Sequence, residues 1–173
     1  MNKAIKTSVA AFAALAVLAG CSPSGGTAAI VNGEKIADSQ VVAATNACIA
    51  SIADVGGAIT GSDVGVFRSS VVTLSVVSEL ARQFTEKSGA EEPEEADLLA
   101  ILEQGGIPVQ AYTQNETCKQ LMVGLGLHSY YATTKRVQYF NNVEVTVNPR
   151  YGQFDVETLQ LAGTGALAVM SQG

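Results

Sequence analysis

The stretch Ala29-Ile30-Val31-Asn32-Gly33-Glu34-Lys35-Ile36, followed at once by Ala37-Asp38-Ser39, decides the fold. Two short apolar runs flank an Asn-Gly pair. Both central residues of a type I′ turn need positive φ, and Asn-Gly is the preferred pair for it, so the stretch predicts a tight hairpin. Asp38 or Ser39 then predicts a helix N-cap. The helix behind it extends to about Ala53, with Val42, Ile49 and Ile52 on its inner face and Cys48 beside that stripe.

The helical reading continues downstream. Gly56-Gly57 and Gly61 break the chain, and Ser62 or Asp63 caps a second helix that ends near Lys87. Phe67, Val71, Leu74, Val77, Ala81 and Phe84 follow a helical period, widened by Val64, Val72, Val76 and Leu80. This helix is expected at the centre of the core. Its many β-branched residues lower its intrinsic propensity, so packing must hold it. Arg68, Glu79 and many serines interrupt its apolar run, which argues against a transmembrane span. Glu92-Pro93-Glu94-Glu95 predicts a third helix with Pro near its first position and acids in its first turn. It carries Leu98, Leu99, Ile101 and Leu102 and ends at Gly105-Gly106. Pro108 predicts the opening of a fourth helix through Tyr131, with Cys118, Leu121, Met122 and Leu125 on one face. Gly124 and Gly126 are expected to weaken its second half.

The final part changes character. Val143-Glu144-Val145-Thr146-Val147 alternates strictly and reads as a strand. Asn148-Pro149-Arg150-Tyr151-Gly152 reads as a turn. From Leu159 on, short apolar stretches between glycines show no period, and residues 156–173 are expected to be a loosely ordered tail.

The start of the chain sets its location. Lys3 and Lys6 precede an apolar run, Val9 to Val17, too short to span a bilayer, which needs about 20 residues. Leu18-Ala19-Gly20-Cys21 follows. That order is a secretory signal, and its ending looks like the lipobox of bacterial lipoproteins. The resemblance implies that residues 1–20 are a signal peptide and that Cys21 carries lipid. Residues 21–28 then form a flexible spacer on the extracytoplasmic face of a bacterial cell membrane. The alternative is an ordinary signal peptide with a coincidental cysteine.

Loss of residues 1–20 leaves 153 of the 173, one domain's worth, with 8 basic against 16 acidic residues and a formal charge of about −8. Such a surface repels nucleic acid and anionic headgroups, so attachment would rest on acyl chains, each buried CH₂ contributing about 0.8 kcal/mol. Apolar residues make up 47% of the chain and Trp is absent, so the core must be largely Val, Ile, Leu and Ala. With Cys21 set aside, Cys48 and Cys118 remain. Outside the cytoplasm a lone pair often forms a disulfide. Closing a loop of about 70 residues would contribute roughly 4 kcal/mol. The alternative is two buried thiols.

The pattern Val31, Asn32, Gly33, Ile36 and Ser39, with a capped helix directly behind, resembles the N-terminal domain of SurA-type and trigger-factor-like chaperones. Val145 to Asp155, through Asn148-Pro149-Arg150-Tyr151-Gly152, is similar to the ending of SurA-N-like envelope lipoproteins. The resemblance implies a mainly α fold over residues 29–155. That helical domain would be closed by a small two- or three-stranded antiparallel sheet in which Ile30-Val31 pairs with Val143–Val147. It also implies affinity for unfolded or extended polypeptide. The parvulin prolyl-isomerase domain usual in that family would not fit in the 33 residues after Phe140, so isomerase activity is not carried over.

No constellation predicts catalysis. His128 is the only histidine, and no Gly-x-Ser-x-Gly elbow presents a serine. His128 lies beside Tyr130 and Tyr131 at an expected helix end and reads as a capping or surface residue. Cys-x-x-Cys, His-Glu-x-x-His and EF-hand spacings are absent from the sequence, which predicts no metal site and no cofactor. Glu91, Glu92, Glu94, Glu95 and Asp97 read as a solvated helix start. Gly56 and Gly61 have P-loop separation, but Ser62-Asp63 stands where Lys-Ser/Thr is needed, so nucleotide binding is rejected. Asn115-Glu116-Thr117 matches a glycosylation sequon by chance. In the turn, Arg150 either clamps a peptide carboxylate or a partner, or bonds carbonyls to fix the turn while Tyr151 packs on the helices. The expectation is a non-catalytic, lipid-anchored protein that binds extended or partly folded polypeptide in an apolar groove. The alternative is a scaffold or interaction subunit for one envelope protein.

Overall fold

The structure, a computed structural model, describes residues 25–135, 139, 143–155 and 160–162. Residues 1–20, Cys21 and most of the tail lie outside the described residues. The fold is mainly helical with a small antiparallel sheet. Strand β1 (Thr27–Val31) turns at Asn32-Gly33 into β2 (Glu34–Ala37), and β3 (Val145–Val147) closes the other side of β1, in the order β2-β1-β3. Asn32 has φ 48° and Gly33 φ 89°, both in the left-handed region that the tight turn requires. The register pairs Ala29 with Val147, Ile30 with Thr146 and Val31 with Val145. A second pair, β4 (Gln153–Asp155) and β5 (Gln160–Ala162), carries the fold past residue 155, and Leu161 packs against the core. The ordered body therefore does not stop at the expected boundary.

Four helices carry the core: α1 (Asp38–Asp54), α2 (Asp63–Ser88), α3 (Glu95–Gln104) and α4 (Glu116–Thr134). Helix α2 is central, burying Val71, Val72, Val76, Val77, Leu80 and Ala81 against α1, α4 and β1. It is also the one described helix long and apolar enough to cross a membrane, with 33% of that apolar window buried in the fold. A satellite cluster of Leu102, Val109 and Met122 fills the space under α3.

Several details correct the sequence expectations. Neither Asp38 nor Ser39 caps α1. Ala37 holds the N-cap position, and its N–H donates to Gln40 Oε1 at 2.8 Å, leaving Asp38 free for another task. The buried face of α1 is Val41, Ala44, Thr45, Cys48 and Ser51, one residue round from Val42, Ile49 and Ile52. The polar members are accommodated because Thr45 Oγ1 donates to Val41 O at 2.7 Å and Ser51 Oγ accepts from Gln114 N at 3.0 Å. Pro93 precedes the N-cap, Glu94, rather than standing at the first helical position. Pro108 opens only a 3₁₀ turn over Val109–Ala111, and α4 starts later because Asn115 caps it, its side chain accepting from Thr117 N at 3.0 Å. Gly124 and Gly126 do not break α4. A Cβ on Gly126 would lie 2.5 Å from the Leu98 carbonyl oxygen, and one on Gly124 would lie 2.2 Å from Ser78 Oγ. The two glycines let α4 approach α3 and α2 closely, and helix propensity yields to packing.

Candidate functional site

The hairpin, α1, α2 and α4 meet around a cleft of about 720 Å³. Strand β2 supplies Glu34, Lys35 and Ile36, and α1 supplies Gln40, Ala43 and Ala44. Helix α2 supplies Ser75, Ser78, Glu79 and Arg82, while α4 supplies Thr117, Gln120 and Leu121. Nine of these thirteen residues are polar by type, yet more of the surface lining the cleft is apolar than polar, so the cleft combines apolar contact with fixed polar groups.

A hydrogen-bond chain fixes the wall between sheet and α2. Asn32 Nδ2 donates to Gln83 Oε1 at 2.8 Å, and Gln83 Nε2 donates to both Val31 O at 3.0 Å and Glu79 Oε1 at 2.7 Å. The other end of Asn32 accepts from Glu144 N at 2.8 Å. Thus the turn asparagine also ties the hairpin to α2 and to the segment entering β3. Burial works against the Glu79 carboxylate, but hydrogen bonds from Arg82 and Gln83 outweigh it and hold its pKa below the ordinary value. Arg82 bridges Glu79 and Glu86, so both charges facing the cleft from α2 are already matched.

Of the sheet's two edge strands, β2 and β3, it is β2 that lines the cleft, and it offers little. In a two-residue hairpin the pair flanking the turn, here Val31 and Glu34, exchanges both bonds, so the next residue, Lys35, directs its backbone groups outward. The outward N–H of Ala37 is already taken by Gln40. A short edge guarded by a lysine resists pairing with a second strand.

The residues singled out in the sequence are dispersed. Cys48 and Cys118 are joined, with Cα atoms 4.9 Å apart, and the disulfide links α1 to α4. His128 is neither a cap nor a surface group. Helix α4 continues past it to Thr134, it is 7% exposed, and Tyr139 covers it with its hydroxyl 2.7 Å from Nδ1. Burial lowers its pKa to about 4, and burial likewise raises that of Tyr139 well above its ordinary value. Within Asn148–Gly152, Pro149–Tyr151 forms a 3₁₀ turn capped by Asn148, whose side chain accepts from Arg150 N at 3.2 Å. Gly152 has φ 113°, which favours glycine. Arg150 does not bond carbonyls. Its guanidinium pairs with the Asp38 carboxylate, which also accepts the Tyr151 hydroxyl. Of the acidic cluster, Glu95 pairs with Lys119 at 3.2 Å.

Sequence reasoning missed Gln83 as the tie between sheet and α2. The available signal was its place: it continues the step Val72, Val76, Leu80 as a polar residue on an apolar stripe. No known family model, curated protein or solved structure matches the chain.

Proposed function

We propose that this chain is a non-catalytic envelope protein, acylated on Cys21 and held at the extracytoplasmic face of a bacterial membrane. Its cleft would grip an extended segment of one dedicated polypeptide partner. The resemblance to SurA-N-like lipoproteins supports polypeptide as the ligand class. The observation that carries the choice of a dedicated partner is the set of fixed polar and charged groups in the cleft, with Glu79 held by Arg82 and Gln83. Fixed, paired charges select one sequence over others, whereas a general holdase needs a broad apolar surface. Among the described residues the large exposed hydrophobics are Val55 and Val66. The second reading, chaperone-like binding of many partly folded chains, is favoured by the apolar share of the cleft surface, to which Ile36, Ala43, Ala44 and Leu121 belong.

Residues 22–173, immobilised and exposed to detergent-solubilised envelope proteins, should retain one stoichiometric partner, and Lys35→Glu should release it. Suppression of aggregation of several unrelated clients, undiminished in that variant, would select the chaperone reading. Neither result at several-fold molar excess would reject the polypeptide-binding function.

A further inference from the structure

Helix α1 is held differently along its two halves. In the first half, Val41 and Ala44 belong to the main apolar core. In the second half, residues 45–54, the buried side chains are Thr45, Cys48 and Ser51, and no residue there belongs to either apolar cluster. Thr45 spends its hydroxyl on Val41 O of its own helix. The side-chain bonds that tie this half to the rest of the described molecule are the Cys48–Cys118 disulfide and one hydrogen bond, from Gln114 N to Ser51 Oγ at 3.0 Å. Helix α4, on the other side of the bridge, is anchored without it: Leu121, Met122, Leu125 and Leu127 pack into the two clusters. The bridge stands at the cleft. Ala44 lines its α1 wall and Thr117 its α4 wall. Cys48 follows Ala44 by about one helical turn, and Cys118 follows Thr117 directly.

We infer that Cys48–Cys118 is a redox latch on the cleft: a dithiol reductant releases residues 45–54 from α4 and opens that end of the cleft, while α2, α4 and the sheet stay folded. The inference rests on the proposed binding role of the cleft. One thiolate of the dithiol attacks the sulfur of one cysteine, the S–S bond breaks, and the other cysteine leaves as a thiolate that takes up a proton. The second sulfur of the reductant then displaces the first cysteine, which is protonated in turn. Two electrons and two protons pass from the dithiol to the cysteines, and the reductant leaves as its own disulfide. Without the bridge, residues 45–54 are shorter than the ~12–15 residues an isolated helix needs in water, and no contact with the apolar core replaces the lost bond. The two cysteines are 1% and 0% exposed, so attack needs α1 to lift first, and the latch stays shut against stray thiols.

The test places spin labels that do not use cysteine at two pairs of exposed positions, Ala50 with Gln120 and Ser70 with Gln120. Both distances are measured in the protein before and after complete reduction by dithiothreitol. The solution contains trimethylamine N-oxide, which favours the compact state and keeps a weakened body folded. On reduction the Ala50–Gln120 distribution should broaden several-fold, and the Ser70–Gln120 distribution should not change. Cys48→Ser with Cys118→Ser should reproduce the reduced state without reductant. An unchanged Ala50–Gln120 distribution, once mass analysis shows both thiols free, overturns the latch. So does broadening of both pairs, because the bridge would then hold the whole fold rather than one half of α1. No partner enters the measurement, so an unchanged distance overturns the latch alone. Failure to retain any polypeptide, with the distances responding as expected, overturns the binding role of the cleft and leaves the latch.

Discussion

At the scale of single residues, His128 carries the clearest consequence. Its ordinary pKa of 6.5 falls to about 4 in the folded chain because burial penalises the imidazolium. Below pH 6.5 the unfolded chain therefore takes up a proton that the native state refuses. The stability contributed by the neutral ring is complete above pH 6.5 and declines as pH falls toward 4, by roughly 3 kcal/mol at most. Glu79, also held ionised in the fold, loses stability in acid too, so the comparison must isolate the histidine. In urea unfolding between pH 7 and pH 4, His128→Gln should show a shallower fall in stability than the unaltered protein. Parallel curves would mean that the buried ring does not govern the acid response. His128 was not legible as a core residue, because Tyr139, which covers it, follows the helix and leaves no local signal. Asn32-Gly33 was legible, since its turn is a matter of two residues' own backbone preferences. The second use of Asn32, bonding Gln83 and Glu144, depends on partners 51 and 112 residues away.

At the scale of elements, the same contrast recurs between local rules and tertiary packing. The period of α2 and the alternation of β3 are visible in the sequence because burial imposes them directly. The start of α4 is less so: Pro108 and Asn115 both signal a beginning, and the structure uses the second. The glycines of α4 read as weak points, yet they are close contacts. Gly126→Ala should therefore destabilise the protein by about 1–3 kcal/mol, since overpacking against the Leu98 carbonyl outweighs the helix propensity gained. Gly65→Ala, whose Cβ meets nothing within 4 Å in α2, should instead stabilise by about 0.5–1 kcal/mol. Thermal unfolding of the two variants checks both signs. The disulfide binds α1 to α4 across 70 residues, and replacing both cysteines with alanine should cost roughly 4 kcal/mol in the chain-entropy account. Peptide mapping without reductant should recover Cys48 joined to Cys118, and two free thiols would remove that prediction.

At the scale of the whole molecule, the two ends of the described chain are sewn to each other. Strand β1 pairs with β3, Asn148 bonds the Thr27 carbonyl, and Arg150 and Tyr151 converge on Asp38. These contacts differ in weight. The Arg150–Asp38 pair is partly solvated, with side-chain exposures of 42% and 25%, so Arg150→Gln should change stability by no more than about 1 kcal/mol. Asn148 acts from a less exposed position and makes two kinds of bond, capping the 3₁₀ turn and holding the Thr27 carbonyl beside a buried strand. Asn148→Ala should therefore cost about 1–3 kcal/mol. Because β3 is only three residues long, the loss should appear first as faster amide exchange in Val145–Val147 and in the β1 residues opposite them. Exchange in the middle of α2 should follow global stability alone. Equal acceleration in β3 and α2 would show that the ends unfold only with the whole body, and that Asn148 is one contact among many rather than the stitch that joins them.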